Sequence, residues 1–206
     1  MLQQFSKQQI ATAIAVLFHC IGLVGILLYD AALFASLTPM NLLLSAGLLI
    51  YTQSEKNKDF FLFLLICYIV GFGVEYIGVN YQLLFGEYRY LPAMGWQWGN
   101  VPLVIGVNWF MMMYCCGVTI QHFLNVMWNK LKDEDQPQRN NVGFFAIIID
   151  GALLATFFDW VMEPIAVKLG YWLWLGDGSI PLLNYLSWFG VSALLMLLFR
   201  LLSFPK

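Results

Sequence analysis

Six runs of predominantly apolar residues, at about 10–30, 39–53, 60–80, 102–127, 142–168 and 182–203, leave this 206-residue chain few ways to fold. A helix needs roughly 20 such residues to cross the ~30 Å hydrocarbon core of a bilayer. A soluble interior of this size could not hide them, because 61% of the chain is hydrophobic and only 11% is charged, against ~25% charged residues in an ordinary soluble domain. The expected fold is all-α: a polytopic membrane protein, one integral-membrane domain over residues 1–206 built as a bundle of six transmembrane helices. The run from Ile10 to Tyr29 is too long for a signal-peptide core and has no small-residue cleavage site behind it, so it reads as the first span. The second run is the shortest. Thr38-Pro39 reads there as an N-cap followed by proline at the first helical position, with residues 31–38 as an interfacial turn.

Orientation follows from the basic residues. With the N-terminus in the cytoplasm, Lys7, Lys56, Lys58, Lys130, Lys132, Arg139, Arg200 and Lys206 fall inside, and only Arg89 and Lys168 fall outside. An N-in/C-in arrangement is therefore expected, in the bacterial cytoplasmic membrane. Inner segments 53–59 and 128–141 read as plain solvated connections. Outer segments 81–101 and 169–181 carry Tyr88, Tyr90, Trp96, Trp98, Tyr171, Trp172 and Trp174, which an aromatic belt at the interface would also explain.

Several chemistries are excluded or disfavoured. The net charge of −2 comes with no basic cluster to hold nucleic acid. No Gly-rich phosphate loop, dinucleotide fingerprint or serine nucleophile elbow is present. The histidines and carboxylates lack metal-ligand spacing, so neither a metal nor another cofactor is expected. Cys20, Cys67, Cys115 and Cys116 lie in apolar runs without a C-x-x-C pattern and read as small packing residues.

Ionisable groups inside apolar runs are costly and therefore informative. Glu75, Asp159 and Glu163 all fall in the outer half of their helices, at the level of Asn108 and Trp109 in the fourth run and of Asn184 and Trp188 in the sixth. Asp159 and Glu163 are spaced i,i+4 and share a face, as do Asn184 and Trp188. Gly71, Glu75 and Gly78 follow i, i+4, i+7, which leaves room beside the carboxylate for a close neighbour. Pro164 directly after Glu163 is expected to bend or break its helix. Asp150 lies nine residues before Asp159, about half a rotation away, and reads as a structural hydrogen-bonding residue. His19 and His122 read as satisfied packing residues.

Carboxylic acids, aromatic faces, amides and water suit one chemistry in particular. An acid protonates an electron-rich alkene, π faces stabilise the tertiary cation, and a second carboxylate orients the water that traps it. Carboxylates that merely tie helices together, or that form a proton or ion path, fit the same inventory, and the residues alone weight the three readings equally.

Two ordered stretches carry a resemblance. Glu75 to Trp109 contains E-Y-I-G-V-N-Y, F-G-E-Y-R-Y and G-N-V-P-L-V-I-G-V-N-W, and Asp159 to Trp188 contains D-W-V-M-E-P-I-A-V-K-L-G-Y-W-L-W and I-P-L-L-N-Y-L-S-W-F-G. Together they resemble the carotenoid biosynthesis family that contains the carotenoid 1,2-hydratases, of the bisanhydrobacterioruberin and gamma-carotene hydratase type. The likeness spans about two thirds of the chain, over the third to sixth helices. Asn80-Tyr81 departs from the threonine-glycine that often follows E-x-x-G-V in that family. The resemblance implies cofactor-independent addition of water to the terminal C1=C2 bond of an acyclic carotenoid, giving a tertiary alcohol. Glu75, Asp159 and Glu163 are then the expected catalytic groups. Trp109, Asn108, Trp172, Asn184, Trp188, Tyr88 and Tyr90 are the expected substrate-binding groups. Membrane lipid and other enzymes of the pathway are the expected partners. The family is also distantly similar to membrane-bound lycopene cyclases, which would pass the cation to an internal double bond. A proton-coupled transporter or a non-catalytic helical protein remains the alternative of another class.

Overall fold

The computed structural model describes residues 5–131 and 136–206, including every side chain of these except those of 131 and 136–140. Lys132 and the side chain of Arg139, counted above among the inner charges, lie outside the described residues. The helices in chain order are α1 (Lys7–Leu28), α2 (Ala31–Ser36), α3 (Thr38–Thr52), α4 (Lys58–Tyr81), α5 (Val104–Leu131), α6 (Gln136–Lys168) and α7 (Leu182–Leu201). Four short strands, β1 (Tyr88–Tyr90), β2 (Gln97–Trp98), β3 (Val101–Pro102) and β4 (Trp172–Trp174), lie in the segments before α5 and before α7.

Polar residues at the helix starts explain where the elements begin. Ser6 caps α1 in a capping box, its hydroxyl accepting from the Gln9 amide while the Gln9 side chain accepts from the Ser6 amide. Asp30 accepts from the Leu33 amide and starts α2, so the expected interfacial turn is a short helix. Thr38 is not the cap expected of it: the N-cap of α3 is Leu37, with no side-chain bond, and the Thr38 hydroxyl instead lies 2.5 Å from that of Tyr171. Asn57 caps α4 through the Phe60 amide, and Asp59 in the first turn complements the helix dipole.

Five helices are long and apolar enough to cross a membrane: α1, α4, α5, α6 and α7. The protein is an integral membrane protein. The apolar α3 has 15 residues, about 22 Å at ~1.5 Å per residue, short of the ~30 Å core. The start of α1 and the residues after α7 sit at the same end of the bundle. The Lys7 ammonium lies 5.6 Å from the Tyr51 ring centroid, and Gln53 donates to the Pro205 carbonyl at 2.9 Å.

α6 packs most extensively on α7 and α4 on α5, whereas α1 packs chiefly on α2 and α3. At the end that holds the chain termini the core is aromatic. Phe60, Phe63, Phe110, Phe199 and Phe204 are buried and pack mostly edge to face, with centroids 5.4 to 6.3 Å apart. At the opposite end the buried groups are polar, among them Glu75, Asp159, Glu163, Asn184 and Ser187.

The structure departs from the sequence reading elsewhere. α6 runs through Pro164 to Lys168 without a break, the proline removing only the donor that would meet the carbonyl four residues back. Asp150 does face away from Asp159, but it is exposed on the bundle surface with no hydrogen-bond partner among the described residues. His19 is exposed with Nδ1 2.7 Å from the Ala15 carbonyl, and His122 is exposed without a partner among the described residues, so neither histidine is packed. Cys67 and Cys116 are buried as packing residues, whereas Cys20 and Cys115 are exposed.

A carboxylate cavity capped by aromatic strands

The site begins with the alternation Tyr-Arg-Tyr in β1 and Trp-Leu-Trp in β4. The two strands pair antiparallel in the register Tyr88↔Trp174, Arg89↔Leu173 and Tyr90↔Trp172. Side chains alternate across a strand, so four aromatic rings share one face and Arg89 points to the other. Tyr88, Trp172 and Trp174 are buried, while Arg89 is exposed. This face closes over the ends of α4, α5, α6 and α7. The β1–β4 pair was not legible as structure in the sequence, where its aromatics also fitted an interfacial belt. Trp96 and Trp98 instead stay on the surface, at 88% and 66% exposure.

Beneath the strands lies a cavity of about 30 Å³, room for roughly two waters. All three acidic residues singled out from the sequence line it, together with Asn108, Trp109, Trp172, Asn184, Trp188, Tyr88 and Tyr90. Phe85, Ile105, Met162 and Trp174 complete the lining and were not identified from sequence. For Trp174 the signal was available in its spacing of two from Trp172.

Each carboxylate is held differently. Glu75 accepts three hydrogen bonds: from Tyr88 at 2.5 Å and Tyr90 at 2.8 Å on Oε2, and from the Trp109 indole at 3.1 Å on Oε1. Glu163 accepts two, both on Oε2, from the indoles of Trp172 at 3.0 Å and Trp174 at 2.9 Å. Asp159 accepts one, from Asn184 at 2.6 Å on Oδ2. Among the described residues, Glu163 Oε1 and Asp159 Oδ1 accept from no donor and Asn108 makes no side-chain hydrogen bond. Among the described residues no lysine, arginine or histidine lines the cavity, so its three acids have no counter-ion there and repel one another as anions. Burial, followed by the charge of Glu75, pushes the Tyr88 and Tyr90 hydroxyls well above the usual phenol range, which keeps both as donors.

The glycines of α4 make these contacts possible. A Cβ at Gly71 would fall within the Trp109 ring, and one at Gly78 would stand 2.9 Å from the Tyr88 hydroxyl and from the Phe85 ring. The room left beside Glu75 is thus occupied by the aromatic groups that hold it. Trp109 also stacks on Trp188, with centroids 4.2 Å apart and planes 12° from parallel. Asn80, the family departure, donates to the carbonyls of Tyr76 and Gly99 and accepts from Asn100. It fastens the end of α4 to the β2–β3 turn, away from the cavity lining.

Comparison with curated proteins and with solved structures returns no match. A family model described as carotenoid biosynthesis protein matches residues 37–205. That range contains every residue lining the cavity, and it reaches α3, beyond the third to sixth apolar runs on which the sequence resemblance rests. The chain belongs to the carotenoid biosynthesis protein family.

Proposed function

We propose that this protein is a carotenoid 1,2-hydratase that adds water to the terminal C1=C2 bond of an acyclic carotenoid without a cofactor. The observation that carries the reading is the cavity in which Glu75, Asp159 and Glu163 meet beneath tryptophan and tyrosine rings.

Unequal hydrogen bonding divides the roles. Donors to a carboxylate favour its anionic form. Glu75, with three donors, serves as a fixed anion facing the developing cation. Asp159, with one, carries the proton and delivers it to C2, leaving a tertiary cation at C1. The indole faces of Trp109 and Trp188 stabilise that cation. Water held by Asn108 and the free Oε1 of Glu163 adds to C1 and gives its extra proton to Glu163. Transfer from Glu163 to Asp159, its i,i+4 neighbour, restores the starting state. Net change is one water added and no electron transferred.

A cavity sized for water, with unengaged polar atoms, favours capture by water over capture by an internal double bond. It is smaller than an isoprenoid end group, so side chains must move as substrate enters. Met162 is the candidate to yield: it lines the cavity, is only half-buried, and has a flexible thioether side chain. The rest of a polyene about as long as the ~30 Å core would stay among lipids.

In the same reading α3 completes six crossings as a short span, and both termini face the cytoplasm of a bacterial cell. Carotenoid-pathway enzymes that supply or consume the substrate are the proposed partners. Expression beside an acyclic carotenoid tests the activity. A hydratase yields a pigment heavier by one water, a cyclase yields an isomer of unchanged mass, and a transporter or packing protein leaves the pigment unaltered.

A further inference from the structure

An open surface pocket of about 520 Å³ lies at the far end of the bundle, where α7 runs out. It is built by fastening the last residues to the α3–α4 turn. Gln53 donates to the Pro205 carbonyl at 2.9 Å, Asn57 donates to the Ser203 carbonyl at 2.7 Å, and the Ser203 amide donates to Asp59 at 2.8 Å. Phe204 anchors the strap among Phe60, Phe63 and Phe199.

Two cations are left facing this space. Arg200 has a buried Nε with no hydrogen-bond partner. Lys206 donates to the carbonyls of Arg200 at 3.3 Å and Leu202 at 2.8 Å, and its ammonium lies 5.0 Å from the ring centroids of Phe199 and Phe204. Neither makes an ion pair among the described residues. Burial, and next the charge of Arg200, push the Lys206 ammonium down to about 8, with Asp59 opposing. Asp59 is close by and accepts from the Ser203 amide, but it pairs with neither cation among the described residues. A guanidinium fork beside a point charge matches the oxygens of a phosphate. Glu55, exposed on the rim, would repel a doubly charged anion more than a singly charged one. The pocket also sits at the end of α7, a helix long and apolar enough to cross a membrane, and lipid phosphates lie where such helices end. Lys7, Lys56 and Lys58 lie at the same end of the bundle, and such basic ends attract anionic lipids.

We propose that Arg200 and Lys206 bind the singly charged phosphodiester of an anionic membrane phospholipid, clamping the end of α7 to the α3–α4 turn. The proposal is independent of the reaction at the carboxylate cavity.

The test uses the purified full chain in detergent with three probes: phosphatidylglycerol, phosphatidylcholine and inorganic phosphate. Native mass spectrometry should retain one phosphatidylglycerol per chain, with a rise in melting temperature. Neither phosphatidylcholine nor phosphate at equal concentration should reproduce this. Affinity should fall about fivefold in Arg200→Gln and again in Lys206→Gln, with Arg200→Lys intermediate. Equal binding of phosphatidylcholine would overturn the proposal, as would full retention in the doubly substituted chain. An equal response to inorganic phosphate would overturn the lipid as the source. Should Arg200→Gln fail to fold, the three probes on the unaltered chain and on Lys206→Gln decide the matter.

Discussion

Asp159 and Glu75 differ by two hydrogen bonds, and their substitution should differ accordingly. Asp159→Asn keeps shape and the neighbouring Asn184 but removes the transferable proton. Conversion should fall by about 10² to 10⁴-fold, the usual worth of a general acid, with little change in melting temperature. Glu75→Gln presents an amide to two tyrosine hydroxyls and an indole, and should lose both activity and stability. Full conversion by both variants would remove these groups from the chemistry. Trp188 lines the cavity and stacks on Trp109. Trp188→Phe should therefore stay active in the same pigment assay. Trp188→Leu should lose about 30-fold, from the ~2 kcal/mol of a desolvated cation–π contact. The acidic residues were legible in the sequence because a carboxylate among apolar residues has few explanations. Their separate hydrogen-bond partners were not, because the donors come from β1, α5, β4 and α7, distant in the chain.

At the level of elements, α4 and the β1–β4 pair define the site between them. Gly71→Ala would drive a methyl group into Trp109. The cost of overpacking is about 1–3 kcal/mol, and Trp109 would be pushed off Glu75. A lower melting temperature together with lost conversion is expected; unchanged activity would show that the close approach is not needed. Removing both indole donors to Glu163 by Trp172→Phe with Trp174→Phe keeps the rings but frees the carboxylate. The expected result is at least about tenfold slower conversion, measured with the membrane-extracted protein. The glycine spacing on α4 revealed a close contact in the sequence. The strands stayed hidden because three-residue runs rich in tyrosine and tryptophan also suit a membrane interface, and only the pairing of two distant segments turns them inward. Helices α1 and α4 to α7 were legible from apolar length alone. The end of α2, the cap of α3 and the unbroken passage of α6 through Pro164 were not, because they depend on which of several local hydrogen bonds prevails.

Across the whole molecule the buried carboxylates and the phenylalanine cluster lie at opposite ends. The phenylalanine cluster near the chain termini stabilises the bundle, and the carboxylates gather at the other end under the strands. In such a division a site can keep uncompensated acids only because the rest of the fold holds the helices together. The measurement that bears most directly on the account is conversion of an acyclic carotenoid by the purified protein in water labelled with heavy oxygen, followed by mass spectrometry. The account predicts a product carrying one labelled oxygen at its new tertiary alcohol, lost on Asp159→Asn. A product of unchanged mass, or an oxygen that does not come from water, would contradict it.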